Sequence, residues 1–295
     1  MFKLRDWINV NYLDLDNLSI IPEAVPFFFE NNIENIIQKT INNLCLNPNA
    51  TLILYKVQEK IFWSNLSLNS GAISILKKNE DKIDYWNLSQ NSGAINLIKK
   101  NIDKMDWDNL SINPGAISLL EKNLDKINWT NLSFNSNAIS LLKDNLDKIN
   151  WYNLSFNPGA ISLLEKNQTK INWTNLSLNP NAISLLKDNL DKIDWHNLSE
   201  NPGAISLLEN NQDKIIWRNL CLNPNALDLL KNNPDNINWY LLSLNPSIFE
   251  LNYLYIEEKC SIYKEELIQK AMHPSKLIKY IEDGYDIEEI TERFM

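Results

Sequence analysis

Glycine, cysteine and histidine are scarce in this chain: six, three and two among 295 residues. Two histidines, His196 and His273, lie far apart in sequence, which leaves too few imidazoles for a histidine-based metal centre. No Ser-His-Asp arrangement can be assembled either, since the polar residues that recur follow a repeat. Six scattered glycines provide no Gly-rich phosphate loop, and no Cys-x-x-Cys occurs. Three cysteines fit a reducing compartment rather than a disulfide framework. Lys and Arg never cluster and the net charge is -9, so no basic stripe exists to displace counterions from nucleic-acid phosphates. The longest apolar run, Val25–Phe29, is too short for a membrane span or a signal segment. These absences predict a soluble, cytoplasmic, non-catalytic protein without cofactor or metal, binding neither nucleic acid nor membrane.

What is present is a 22-residue repeat. The leucines at 66, 88, 110, 132, 154, 176, 198, 220 and 242 are evenly spaced, and three residues before each stands Trp63, Tyr85, Trp107, Trp129, Trp151, Trp173, Trp195, Trp217 or Trp239. A fixed period means that each unit buries its apolar face on its neighbours, so the chain is a solenoid. The register extends back to Leu44-Cys45-Leu46-Asn47-Pro48, then to Asn17-Leu18-Ser19, which lies 26 rather than 22 residues earlier. Cys45 and Cys221 replace the serine of other repeats and read as small residues at a tight position.

One unit, from Asp106 to Ile127, shows the local logic. Asp106 is an N-cap, and Asn128, Asn150, Asn172, Asp194 and Asn238 continue its column, so a helix A begins at each Trp and runs to about Ile112 in this unit. Asn113-Pro114 pairs a capping side chain with a proline at the first helical position and opens a helix B. Helix B turns Ala116, Ile117, Leu119 and Leu120 inward and Ser118, Glu121 and Lys122 outward, and is expected to end at Asn123 in a left-handed conformation. Helices this short are unstable alone, so stacking must hold them. A leucine-rich-repeat coil of strands and helices is the competing architecture at this period, but Ile127, Trp129 and Leu132 lack strand alternation. The expectation is an all-α solenoid of about ten repeats, residues 15–246, between an N-terminal helical cap at 1–14, with Leu4, Trp7 and Ile8 on one face, and a C-terminal helical cap at 247–295. In that second cap Ser261 and His273-Pro274 open helices and Gly284 closes one.

From residue 114 the units alternate, with Gly115, Asn137, Gly159, Asn181, Gly203 and Asn225 in one column, as if a 44-residue pair had been copied. Charges alternate too: Glu121, Lys143, Glu165, Lys187, Glu209 and Lys231 predict opposite charges facing each other on successive B helices, a weak surface ladder. The residue after each Trp varies instead: Ser64, Trp86, Asp108, Thr130, Tyr152, Thr174, His196, Arg218, Tyr240. Four residues later come Leu68, Gln90, Ile112, Phe134, Phe156, Leu178, Glu200, Leu222 and Leu244, on the same helix face. Solenoids carry specificity on such ribbons, so Trp86, Asp108, Tyr152, His196, Arg218 and Tyr240 are the candidate partner-binding residues. The plainer reading keeps the second column in the core and the first merely solvated. His196 and Glu200, one helical turn apart, are a poor metal pair without a third ligand.

The string Trp195-His-Asn-Leu-Ser-Glu-Asn-Pro-Gly-Ala-Ile-Ser-Leu-Leu resembles the Asn-Pro-x-Ala-Ile repeat proteins encoded by giant DNA viruses of amoebae, over residues 15 to 246. That resemblance implies a host-facing intracellular repeat protein and transfers no functional residue. Two functions follow as expectations: a scaffold, monomeric or weakly self-associating, that holds a protein partner, or a structural protein that assembles with itself.

Overall fold

A computed structural model describes residues 2–29 and 36–282. The protein is an all-α repeat solenoid, and by its internal contacts it divides into a repeat array, residues 5–249, and a smaller unit, residues 1–4 with 250–295.

From Gln38 to Asn236 each unit of the array holds a short A helix, an Asn-Pro or Asn-Ser turn, a short B helix and a closing 3-10 turn. In the first unit a π-helix, Val25–Phe29, stands in place of helix B, and in the last a strand, Phe249–Leu251. The A helix Trp107–Ile112 is capped by Asp106, whose carboxylate accepts the Asn109 N–H at 2.8 Å. Asn128, Asn150, Asn172, Asp194 and Asn238 cap their helices in the same way. Asn113 accepts the Gly115 N–H at 2.9 Å, but the residues that follow form a 3-10 turn, Pro114–Ala116, and the α-helical part of helix B is only Ile117–Leu120. Its inward side is as expected, with Ala116 and Leu120 fully buried and Ile117 and Leu119 partly so. Asn123 does not adopt the left-handed conformation; its φ is -139°. Its side-chain amide donates to the Leu119 carbonyl at 2.8 Å, satisfying the helix end without a backbone reversal.

Three donor groups, making four hydrogen bonds, join the repeat of Trp151 to the one before. The backbone N–H of Asn150 donates to Ser133 Oγ at 3.0 Å, the Asn153 amide to the Thr130 carbonyl at 2.8 Å, and the buried Asn157 amide to the carbonyls of Ser133 and Asn135, both at 3.0 Å. The pattern recurs along the array. Where Cys221 replaces serine, its buried thiol takes over the serine's role, accepting the Asn238 N–H and donating to the Trp217 carbonyl, each at 3.3 Å. Burial pushes the thiols of Cys45 and Cys221 up from the usual range, which keeps them protonated and inert.

The same bonds also join the last repeat to the first. Asp14 N–H donates to Ser243 Oγ at 2.9 Å, and the Asn17 amide donates to the Tyr240 carbonyl at 2.8 Å. Tyr12 and Trp239 place their ring centroids 5.3 Å apart. The array of eleven A helices, from Leu15–Leu18 to Trp239–Leu242, is therefore a closed circuit with no free end. At the junction Ile21 stands where other repeats carry the Asn-Pro asparagine, and Arg5 supplies substitute bonds to the carbonyls of Ile248 and Ser247 at 3.0 and 2.8 Å.

Residues 1–14 accordingly form no helical cap. Phe2–Leu4 is a strand paired with Phe249–Leu251, and Val10–Tyr12 is a single 3-10 turn. The side chains of Asn9 and Asp14 take backbone N–H groups as caps, so no helix carries Leu4, Trp7 and Ile8 on one face. Of residues 247–295, expected as a helical cap, Tyr253–Ala271 and Pro274–Glu282 are helical, whereas Phe249–Leu251 is the paired strand. The first of these helices starts at Asn252, whose side chain accepts the Tyr255 N–H, and so runs through Ser261 without interruption. Gly284 lies outside the described residues.

Successive Asn-Pro turns stack on one another, and this explains the Gly/Asn alternation. A Cβ on Gly203 would overlap the Pro180 carbonyl oxygen, and one on Gly159 would sit 2.9 Å from the Ser136 carbonyl oxygen. The asparagines of the intervening repeats have room and use it, Asn137 and Asn181 donating to the carbonyls of Pro114 and Pro158 at 3.1 and 3.0 Å. The alternating charges of the B helices make no close ion pairs: among the described residues these are Lys3–Glu250, Lys39–Asp16, Lys100–Glu80 and a long His196–Asp194 contact. Backbone contact between repeats is made through the turns and A helices, and the long side chains at the outward ends of helix B stay solvated.

Candidate interaction surface

Helix A presents three columns, and the structure separates them. Its inward column is core: Leu110, Leu132, Leu154 and their equivalents are fully buried, as are the serines beside them. The aromatic column is half-buried. Over each ring sits a lysine from the closing turn of the same repeat, with Lys126, Lys148, Lys170, Lys192 and Lys214 holding their ammonium groups 4.5–4.7 Å from the centroids of Trp107, Trp129, Trp151, Trp173 and Trp195. The signal was present in the sequence as a lysine 19 residues after each aromatic, from Lys82 to Lys214. Where this column ends, Asn236 replaces the lysine, and Tyr12 covers Trp239 at the junction.

A half-buried ring under a cation contributes less than a core residue. Trp151→Ala is expected to lower the unfolding free energy by about 2 kcal/mol, below the 3 to 5 of a fully enclosed aromatic. Lys170→Ala should cost roughly a quarter as much, measured by chemical denaturation.

The column after the aromatic is exposed, and all six candidate residues lie on it. Trp86, Tyr152 and Tyr240 are 58, 57 and 58% exposed, and Asp108, His196 and Arg218 are exposed as well. Five of the six carbonyls are held by the next repeat, Asn109 to Trp86, Asn131 to Asp108, Asn175 to Tyr152, Asn219 to His196 and, across the junction, Asn17 to Tyr240; opposite Arg218 the donor asparagine is replaced by Leu241. That bond fixes the backbone of the row; of the six side chains, Asp108 also accepts from the Asn128 amide at 2.9 Å. Four residues further along, the second column is neither core nor solvated. Leu68, Ile112, Phe156, Leu178, Leu222 and Leu244 are half-exposed, and Phe134 is 39% exposed with its ring 5.9 Å from that of Phe156.

Two polar residues interrupt this apolar stripe. Gln90 donates to Asn109 Oδ1 at 2.8 Å, and Glu200 accepts from the Asn219 amide at 2.8 Å. Burial pushes the Glu200 carboxyl up from its usual range, with the Asn219 amide opposing. Glu200 is thus directed at the next repeat, while His196 leans toward Asp194 at 4.0 Å, so the two are not brought together as ligands. Among the described residues no group of three His, Cys, Asp or Glu could hold a metal ion, and no helix is long and apolar enough to cross a membrane.

A cleft of about 650 Å³ lies beside the first repeat, lined by Leu13, Leu15, Phe28, Phe29 and Ile37 with Asp16 and Thr40. Lys39 and Thr40 bind the Asp16 carboxylate at 2.7 and 2.6 Å and hold it below the usual carboxylate range. The fold and these columns define an all-α solenoid that displays varied side chains on a constant frame. No protein-family model, curated protein or solved structure matches the chain.

Proposed function

We propose that this protein is a non-catalytic interaction scaffold that holds a protein partner along the exposed row of helix A. The observation that carries the reading is the contrast between columns: the buried ones barely change, whereas the exposed one runs through Trp86, Asp108, Tyr152, His196, Arg218 and Tyr240. Aromatic residues and arginine are the usual anchors of protein interfaces, and here the half-exposed apolar stripe runs beside them. The alternative, a self-assembling structural protein, loses its simplest route, because the repeat array has no open end on which to add another copy.

We place the protein in the cytoplasm, of a host cell if the likeness to giant-virus repeat proteins reflects kinship. The Asn-Leu-Ser sequons support this. Asn109, Asn153 and Asn175 are buried, and each donates its amide nitrogen to the preceding repeat. Glycosylation would attach to that nitrogen and break the ladder, so the fold suits a compartment without the transferase.

The test is the triple substitution of Tyr152, Arg218 and Tyr240 by Ala. The melting temperature should stay within about 2 °C of wild type, since exposed positions away from caps change stability little. Partners retained from host-cell lysate by the wild type, identified and then titrated in purified form, should lose at least about tenfold in affinity with the variant. Unchanged affinity, or an unfolded variant, would return the row to the frame.

A further inference from the structure

The long helix of the smaller unit, Tyr253–Ala271, carries a row of exposed and half-exposed apolar side chains. Tyr253, Ile256, Cys260 and Tyr263 follow one another at spacings of three, four and three, which is the a/d pattern of a two-stranded coiled coil. Tyr253 and Tyr263 are 73 and 62% exposed, Cys260 is exposed and Ile256 is half-exposed. The following helix adds Ile278 and Ile281, 57 and 49% exposed.

We propose that the helix Tyr253–Ala271 pairs with the same helix of a second copy, antiparallel, making the protein a homodimer. Charge selects both the occupant and the direction. With Tyr253 and Cys260 at a, Lys259 and Glu266 occupy successive g positions. In an antiparallel pair centred between Cys260 and Tyr263, g faces g, so each Lys259 meets Glu266 of the other copy and the pair is made twice. Cys260 then packs on the opposing Tyr263. In a parallel pair g faces the following e position of the partner helix, and Lys259 would meet position 264, a lysine in the sequence, while Glu266 would meet position 271, an alanine. Both residues are exposed, and among the described residues neither is in an ion pair, although the Lys259 ammonium lies 5.7 Å from the Tyr255 ring. An anionic membrane is a poor occupant, because the segment from Glu257 onward carries 6 basic against 10 acidic residues. The proposal is independent of the helix A row.

Sedimentation equilibrium of the full chain tests it. At ~100 µM, a concentration suited to so small an interface, the wild type should sediment near twice 34.3 kDa. Lys259→Glu, which sets like charges against each other twice, should be monomeric, and Lys259→Glu combined with Glu266→Lys should restore the dimer. Direction is read from disulfides, since Cys45 and Cys221 are buried. Under mild oxidation the Tyr263→Cys variant should cross-link rapidly, the thiol of Cys260 joining the thiol introduced by that substitution in the other copy, and the wild type should not. A monomeric wild type, a Lys259→Glu variant that dimerises as well as wild type, or ready Cys260 to Cys260 cross-linking in the wild type would each overturn the proposal.

Discussion

Asn157→Ala is expected to lower the unfolding free energy by about 4 kcal/mol, among the largest effects of any single substitution in the array. The side chain is 1% exposed and holds three backbone groups at once, donating to the carbonyls of Ser133 and Asn135 and accepting the Gly159 N–H, all at 3.0 Å. Alanine leaves the Ser133 carbonyl and the Gly159 N–H without a partner and the Asn135 carbonyl with only the Ala138 N–H, at about 1 to 3 kcal/mol for each buried group left unsatisfied. Asn157→Asp should be nearly as damaging, because a carboxylate keeps the acceptor but loses both donors and is buried with its charge. Urea denaturation monitored by tryptophan fluorescence measures both. A loss below about 1 kcal/mol would mean that apolar packing alone sets the register between repeats.

The second large effect concerns closure. Asn17→Ala with Ser243→Ala removes two bonds that join the last repeat to the first, leaving the Tyr240 carbonyl and the Asp14 N–H unpaired. The matching pair inside the array, Asn153→Ala with Ser133→Ala, removes the equivalent bonds to Thr130 and Asn150. Both double variants should lose about 3 kcal/mol, because the chemistry removed is the same in each. In an open solenoid the first pair would sit at two frayed ends and cost almost nothing, since terminal repeats lack a neighbour on one side. Similar losses from the two variants therefore establish the circuit, and a loss below about 0.5 kcal/mol for the first pair alone would refute it.

How much of this was legible follows from the range of each interaction. The caps at Asp106 and Asn113 act on backbone groups two and three residues away, so sequence reading places them. Helix B reads half a turn too long, because a proline at a first helical position also opens a 3-10 turn, as at Pro114–Ala116. The end at Asn123 is misread, since its side chain bonds back to Leu119 instead of letting the backbone turn left-handed. The Lys126 contact with Trp107 is written plainly as a spacing of 19, but a surface lysine column reads first as a solvated one. The alternating charges of the B helices make no close ion pairs, because alternation of charge in sequence says nothing of the distance between successive helix ends.

The candidate row is legible as a column, but whether it is exposed rests on how helix A is rotated in the array. The 22-residue period, the caps and the small buried serines by themselves determined an all-α array of short helices. They did so because each is a local interaction repeated in every unit. Tertiary structure alone decided that the array closes. The rotation between neighbouring repeats is a small quantity that no residue encodes, and it is summed over eleven A helices before Asp14 can reach Ser243. Only after that sum do Asp14 and Asn17, ordinary repeat residues in the sequence, become the joint between the chain's first and last repeats.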